Sequence, residues 1–319
     1  MVKMKILVYG AGVIGCELAH ELCKGKNTVT LLARGKWKEN IDRNGLVIRH
    51  YAQFHTTTDR IHTIAQLKPD DVYDLIIVAM QYSQLEQVLP ALASNKSKYF
   101  LLVGNNMNPG YCLTKIHNTP ESKKEIAFGF QGTAGRREDR RGVSIHTKPG
   151  MTYGGLRGHL STEFQNTIKA AFAKTGYQLK AEYHMEGWLL CHVAFILPIC
   201  YVCYIQDGNL KRATKKQIEQ IMDAAVEAHT MLKKLGYPIR PDGEEEYFTK
   251  DRKKNERMLY LMAKTPLGRL AASDHAMHAK GEMAAMDQAF ELLRTRADEP
   301  MKAWENLRML SRIENFKSL

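Results

Sequence analysis

Short apolar runs alternate with helical periodicities along the first hundred residues. Residues 5–9, KILVY, are apolar and run into a glycine, as a strand buried on both faces of a parallel sheet does. Over residues 13–23 the side chains Val13, Ile14, Leu18, Ala19 and Leu22 recur at helical spacing, and Gly25 stands where a helix ends. Residues 28–33, TVTLLA, supply a second strand, so the chain opens with a βαβ unit. Residues 75–79 (LIIVA) and 99–103 (YFLLV) repeat the strand character around a helical stretch at 85–93, which predicts a doubly wound sheet.

The texture then changes twice. Between residues 125 and 153 shorter, more polar pieces (EIAFGF, VSIHT, MTYGG) predict an antiparallel edge or a β-extension of the first domain. A helix at 160–173 and a short strand at 177–179, which closes the sheet, follow. Beyond residue 182 helical patterns fill 186–204, 215–235, 245–261 and 273–296, with breaks at Gly236-Tyr237-Pro238 and Lys264-Thr265-Pro266. The expected class is α/β: a Rossmann-type doubly wound parallel sheet over residues 1–180 and an all-helical domain over residues 181–319.

Composition narrows the picture. With 44% hydrophobic and 25% charged residues the chain has the balance of a globular protein, which excludes disorder. The longest apolar run, 193–204, is shorter than the roughly 18 residues a membrane helix needs and holds Pro198. The opening MVKMKILVYGAGVIG runs into glycines rather than a cleavage site, so a cytoplasmic chain with no membrane partner is expected. Cys16, Cys23, Cys112, Cys191, Cys200 and Cys203 are expected to be reduced, and their spacing gives no metal site. Cys200-x-x-Cys203 reads as two small hydrophobes in an apolar helix. The net charge of +12 favours anionic ligands. The basic run from Arg136 to Arg141 contains two acids and no aromatics, so it reads as a solvated loop, and no nucleic-acid partner is expected.

The chemistry starts at Gly10-Ala11-Gly12-Val13-Ile14-Gly15. G-x-G-x-x-G placed directly after a strand and opening a helix is the dinucleotide-binding pattern: the first glycine makes the turn, the second admits a pyrophosphate, and the third lets helix and strand pack closely. Arg34 follows Gly15 by nineteen residues at the end of the second strand, with Lys36 behind it. A basic residue there pairs with a ribose 2′-phosphate, which selects NADP (NADPH) over NAD.

With these residues in view the chain resembles the ketopantoate reductase (2-dehydropantoate 2-reductase) family. The likeness runs through GAGVIG, LLARG, Gly45-Leu46-Val47-Ile48, DLIIVAMQYSQLEQVLPAL, LLVGNNMNPG and TAGRRE…GVSIH. The resemblance implies a Rossmann domain, a helical domain, NADPH in the cleft between them and reduction of a 2-oxo acid. It places Asn105 and Ala134 near the cofactor, with Met80 and Gln81 after the LIIVA strand, and sets Glu282 on the family's late glutamate.

The chain also departs from that pattern. The family's lysine after the DLIIVA strand is replaced by Gln81, and its helix W-x-K-x-x-x-N-x-x-x-N holds Leu190, Ala194 and Pro198, counted from Trp188. In the family that second lysine is the general acid and the asparagines orient substrate. Hydride transfer to a ketone leaves an alkoxide that must be protonated or stabilised, which leucine cannot do. The expectation is therefore an NADPH-dependent reductase of a small anionic carbonyl compound other than ketopantoate, with a catalytically degenerate NADP-binding sensor as the alternative. Homodimerisation is left open. His278 is the expected proton donor, sharing a helix face with His275 and Glu282 at spacings of three and four. Tyr201 is a weaker candidate that reads first as a core aromatic.

Overall fold

A computed structural model of the chain describes residues 3–117, 122–146 and 148–316. Thr147, the last residue of the VSIHT piece, lies outside them. The chain divides into two units: residues 1–104 with 108–185, and residues 105–107 with 186–319.

The first unit is built on an eight-stranded sheet and a four-stranded one. Its strands are β1 (Lys5–Tyr9), β2 (Thr28–Leu32), β3 (Leu46–His50), β4 (His55–Asp59), β5 (His62–Ile64), β6 (Leu75–Val78), β7 (Tyr99–Val103), β8 (Glu125–Gln131), β9 (Ala134–Arg137), β10 (Gly142–Ile145), β11 (Gly150–Gly154) and β12 (Gln178–Ala181). The helices are α1 (Val13–Lys24), α2 (Gly35–Asn44), α3 (Tyr82–Ser94), α4 (Pro109–His117) and α5 (Thr162–Phe172). The large sheet runs β12-β11-β8-β7-β6-β1-β2-β5, and every pairing from β8 to β5 is parallel. Ile6, Leu7 and Val8 of β1 are fully buried, which is why the central strand reads as an unbroken apolar run. Each such side chain contributes about 1.5–3 kcal/mol on burial. The strand order reverses at β1, the topological switch point where this kind of sheet binds ligands.

The polar pieces after residue 125 do not form one antiparallel edge. β8 pairs parallel with β7 inside the large sheet, and only β11 runs antiparallel to it. β10 leaves for the second sheet, β4-β3-β10-β9, pairing parallel with β3 and antiparallel with β9. A polar seam lies between α1 and this second sheet. Glu17 of α1 is fully buried, accepts a hydrogen bond from Ser144 Oγ at 2.8 Å and faces His146 and His50. Burial pushes the Glu17 carboxyl up, but the His146 and Ser144 hydrogen bonds outweigh it and hold the group below the usual range.

In the second unit α6 (Met185–Ile205) runs unbroken through Pro198 for 21 residues, and its most apolar 18-residue stretch has a mean hydropathy of 2.1. The apolar run read from sequence was shorter; the complete helix is long and apolar enough to cross a membrane by length and composition. Its most apolar stretch is 72% buried inside the protein, the condition of a core helix. α7 (Lys215–Lys234) starts with a capping box between Thr214 and Gln217. The predicted helix at 245–261 is two, Glu244–Phe248 and Arg252–Ala263; between them the Thr249 hydroxyl donates to the Glu245 carbonyl oxygen at 2.7 Å. The predicted helix at 273–296 is also split, into Asp274–His278 and Lys280–Ala297, by the non-helical Ala279.

Candidate functional site

The ends of three strands meet at one edge of the large sheet. Tyr9 aligns with Leu32 on one side and Val78 on the other, so Gly10, Arg34 and Met80 leave the sheet close together. The three glycines of the loop do different work. Gly10 has φ +113°, a conformation L side chains rarely adopt, and a Cβ there would lie 2.5 Å from the Ala79 carbonyl oxygen. A Cβ on Gly15 would collide with the Gly10 carbonyl oxygen, so this glycine sets how closely helix and loop approach. Gly12 differs: it is exposed, and a Cβ there would meet nothing within 4 Å. Gly12 also caps α1 without any side-chain hydrogen bond, so the first-turn N–H groups of Val13, Ile14 and Gly15 have no capping side chain. An anion is the partner such a helix start favours. Ala11, Val13 and Ile14 are half-buried around it.

Arg34 is exposed and caps α2 in extended conformation, and its Nη2 donates to the Tyr9 hydroxyl at 3.5 Å. That contact keeps the guanidinium at the edge where the loop lies. Lys36, also exposed, follows in the first turn of α2. A further cation was missed in sequence: Arg137 lies with its guanidinium carbon 5.4 Å from the Trp37 ring centroid, over α2. The run containing it read as a solvated loop, yet its first half is β9, paired with β10. Ala134 opens that strand, half-buried and opposite Ile145.

Met80 and Gln81 follow β6, both half-buried; the Met80 sulfur would stand 2.9 Å from a Cβ on Gly10, and Gln81 caps α3. Asn105 is buried, and its amide nitrogen donates to Glu282 Oε1 across 3.5 Å. Its carbonyl Oδ1 has no hydrogen-bond partner among the described residues. Leaving such a group unpaired costs about 1–3 kcal/mol, so a donor from a ligand would be stabilising there. Within the first unit, an open helix start, glycines whose Cβ atoms would block the turn and a cation at the end of β2 together fit a dinucleotide.

The helical unit brings only some of the expected chemistry together. Glu282 is buried beside Asn105, whereas His278 is exposed, and the break at Ala279 interrupts the register that placed them on one face. His278 Nδ1 lies 2.7 Å from the Asp274 carbonyl oxygen. A carbonyl only accepts, so Nδ1 carries the hydrogen and Nε2 is the nitrogen left to exchange a proton. Leu190 and Ala194 are buried, and Pro198 lies inside the helix. Tyr201 is fully buried and donates to Asp287 Oδ1 at 2.7 Å, and Asp287 also takes a two-pronged contact from Arg308, so the tyrosine is a core residue. The Cys203 thiol is pushed up to about 12 by burial and Cys200 is buried beside Met283, as suits apolar packing. His192 went unnoticed in sequence because it sits in an apolar run. It is half-buried, stacks on Trp188 with ring centroids 5.4 Å apart, and burial together with the charge of His275 lowers it to about 3.

Residues 6–156 match the family model described as Ketopantoate reductase PanE/ApbA. A 2-dehydropantoate 2-reductase from Pyrococcus horikoshii is 25% identical over 211 residues, which cover 65% of this chain and 67% of that protein. Among solved structures, a PanE/ApbA family ketopantoate reductase from Ralstonia eutropha JMP134 superposes with a TM-score of 0.73 at 18% identity, over 98% of this chain and 99% of the other. The 2-dehydropantoate 2-reductase from Geobacter metallireducens GS-15 gives 0.77 at 15% identity, over 97% and 99%. A D-mandelate dehydrogenase solved with NADH and anilino(oxo)acetate gives 0.75 at 14% identity, over 97% of each chain. The fold is therefore that of the ketopantoate reductases, and over residues 6–156 the chain is similar to the ketopantoate reductase PanE/ApbA family model.

Proposed function

We propose that this protein is an NADPH-dependent reductase of the ketopantoate reductase-like family that acts on the carbonyl of a small anionic 2-oxo acid or ketone other than ketopantoate. The observation that carries the reading is the Gly12 helix start, open and uncapped, at the same sheet edge as Arg34. The N–H groups of Val13, Ile14 and Gly15 receive the pyrophosphate, and Gly12 leaves room for it. Arg34 and Lys36 pair with the 2′-phosphate, a charge-assisted contact that NADH lacks. Asn105 Oδ1 accepts a hydrogen bond from the cofactor, and Ala134, Met80, Gln81 and Glu282 complete its surroundings.

NADPH supplies a hydride to the carbonyl carbon when bound, and the oxygen left behind needs a proton. His278 is assigned that proton, delivered from Nε2 while the Asp274 carbonyl holds Nδ1–H. Glu282 is assigned to Asn105 rather than to His278, since the break at Ala279 separates their faces. The substrate differs from ketopantoate because Leu190, Ala194 and Pro198 offer neither charge nor hydrogen bond where the family holds a lysine and two asparagines. The D-mandelate dehydrogenase among the structural neighbours supports a 2-oxo acid or its alcohol as the class to test first.

The same three apolar residues favour a second reading, an NADP-binding sensor without turnover. Steady-state oxidation of NADPH by the purified chain across a panel of 2-oxo acids and ketones separates the two. Turnover with one substrate, lost in His278→Ala, supports the enzyme; tight NADPH binding with no turnover supports the sensor.

A further inference from the structure

The seam between α1 and the second sheet holds side chains that dinucleotide binding does not use. Glu17, His50 at the end of β3 and His146 beyond β10 are all buried, and each turns one ligating atom into a shared space where these atoms lie within 4.8 Å of one another. Glu17 Oε1 is 3.0 Å from His146 Nε2, and Glu17 Oε2 is 3.6 Å from His50 Nδ1. Around a tetrahedral zinc ion with bonds near 2.0–2.1 Å, neighbouring donors stand about 3.3 Å apart. The two carboxylate–imidazole separations bracket that value and the two imidazole nitrogens lie within 4.8 Å of each other, so a cation can seat among these donors once the imidazoles close around it.

The surroundings orient two of the three donors as a metal site requires, while His146 Nδ1 has no hydrogen-bond partner among the described residues. His50 Nε2 is 2.8 Å from Thr57 Oγ1, which leaves Nδ1 as the inward nitrogen. Ser144 Oγ donates to Glu17 Oε2 at 2.8 Å and fixes the carboxylate. His20, whose ring centroid is 5.0 Å from that of His50, is bound through Nδ1 to Asp59 at 2.7 Å, which brings a second carboxylate close to the cluster. Glu17 sets one buried negative charge against the desolvation cost of a divalent ion, and Asp59, paired with His20, adds a second carboxylate nearby.

We propose that Glu17, His50 and His146 form a binding site for a divalent cation of the zinc class, with the fourth position left to water, and that the ion staples α1 to the second sheet. Two imidazoles and one carboxylate are a recognised zinc donor set. Cysteine spacing could not reveal it. The ligands are far apart in the chain and come from three elements, and the neighbouring β4 and β9 carry no apolar pattern.

The test uses the untagged full-length chain, stripped with a chelator, dialysed and titrated with Co2+ as a spectroscopic probe, then with Zn2+. One equivalent of Co2+ should bind with visible d–d absorption, Zn2+ should displace it, and saturating Zn2+ should raise the melting temperature by on the order of 5 °C. His146→Gln and Glu17→Gln should each weaken Co2+ binding by at least about 100-fold, and Ser144→Ala, which removes only an orienting bond, by about 10-fold. A stripped wild-type chain that takes up neither ion, or unchanged affinity in His146→Gln, overturns the proposal. Should the two buried-ligand variants fail to fold, the wild-type titration and Ser144→Ala decide, and an unaltered Ser144→Ala affinity overturns it. Gly12→Val, which lies outside the cluster, should keep its cation, so a failure of the cofactor reading leaves this outcome independent.

Discussion

The three loop glycines look alike in sequence but are held by different constraints, and substitutions separate them. A Cβ on Gly12 meets open space, so Gly12→Val should melt within a degree or two of wild type yet bind NADPH at least about 100-fold more weakly, because the side chain fills the phosphate position. A Cβ on Gly15 strikes the Gly10 carbonyl, so Gly15→Ala should lose about 1–3 kcal/mol in denaturant unfolding before any ligand is added. Equal loss of stability in both would contradict the division of roles. Arg34→Glu should lower the preference for NADPH over NADH by about 10- to 100-fold, read from the two dissociation constants, because it replaces a charge-assisted contact with repulsion. At this scale the loop, Arg34 and Lys36 were legible because their chemistry is local. Arg137 and the Glu17, His50 and His146 cluster were not, since their neighbours are brought to them from distant segments, and His192 was hidden in an apolar run.

Among elements, the strands of the large sheet could be read because full burial makes them continuous apolar runs, as in β1 and β7. The second sheet could not: HTTTD in β4 and AGRR in β9 carry no apolar alternation, and the pairing that joins their two hairpins, β3 with β10, is between distant segments. α2 was hidden for a similar reason, since only Trp37 and Ile41 of its ten residues are buried. Helix breaks were also illegible, because the apolar period continues across Ala279 while the backbone does not. One helix start has a pH signature. Burial pushes the half-buried Glu244 carboxyl up to about 7 from an ordinary 4.5. The folded chain then holds this proton more tightly than the unfolded chain, so stability falls as pH rises from the ordinary value through about 7 and levels off above it. Glu244→Gln should therefore be more stable than wild type by about 1–2 kcal/mol near pH 8, with the advantage gone near pH 4. A pH-independent difference in urea unfolding would contradict that account.

At the scale of the whole molecule, each unit has its own core. Trp304 is the anchor of the helical unit, fully buried, stacked on Phe290 at 4.4 Å and set edge-on to Tyr201. Trp304→Ala should cost about 3–5 kcal/mol in denaturant unfolding, and a loss below about 1 kcal/mol would contradict its role as anchor. The chain thus joins a unit that carries a G-x-G-x-x-G loop to a helical unit in which Leu190, Ala194 and Pro198 are buried. The most direct test is steady-state consumption of NADPH by the purified chain against a panel of 2-oxo acids and ketones that includes ketopantoate. The account predicts turnover with at least one compound other than ketopantoate, faster with NADPH than with NADH and abolished in Gly12→Val. Tight NADPH binding with no turnover on any of them would contradict it.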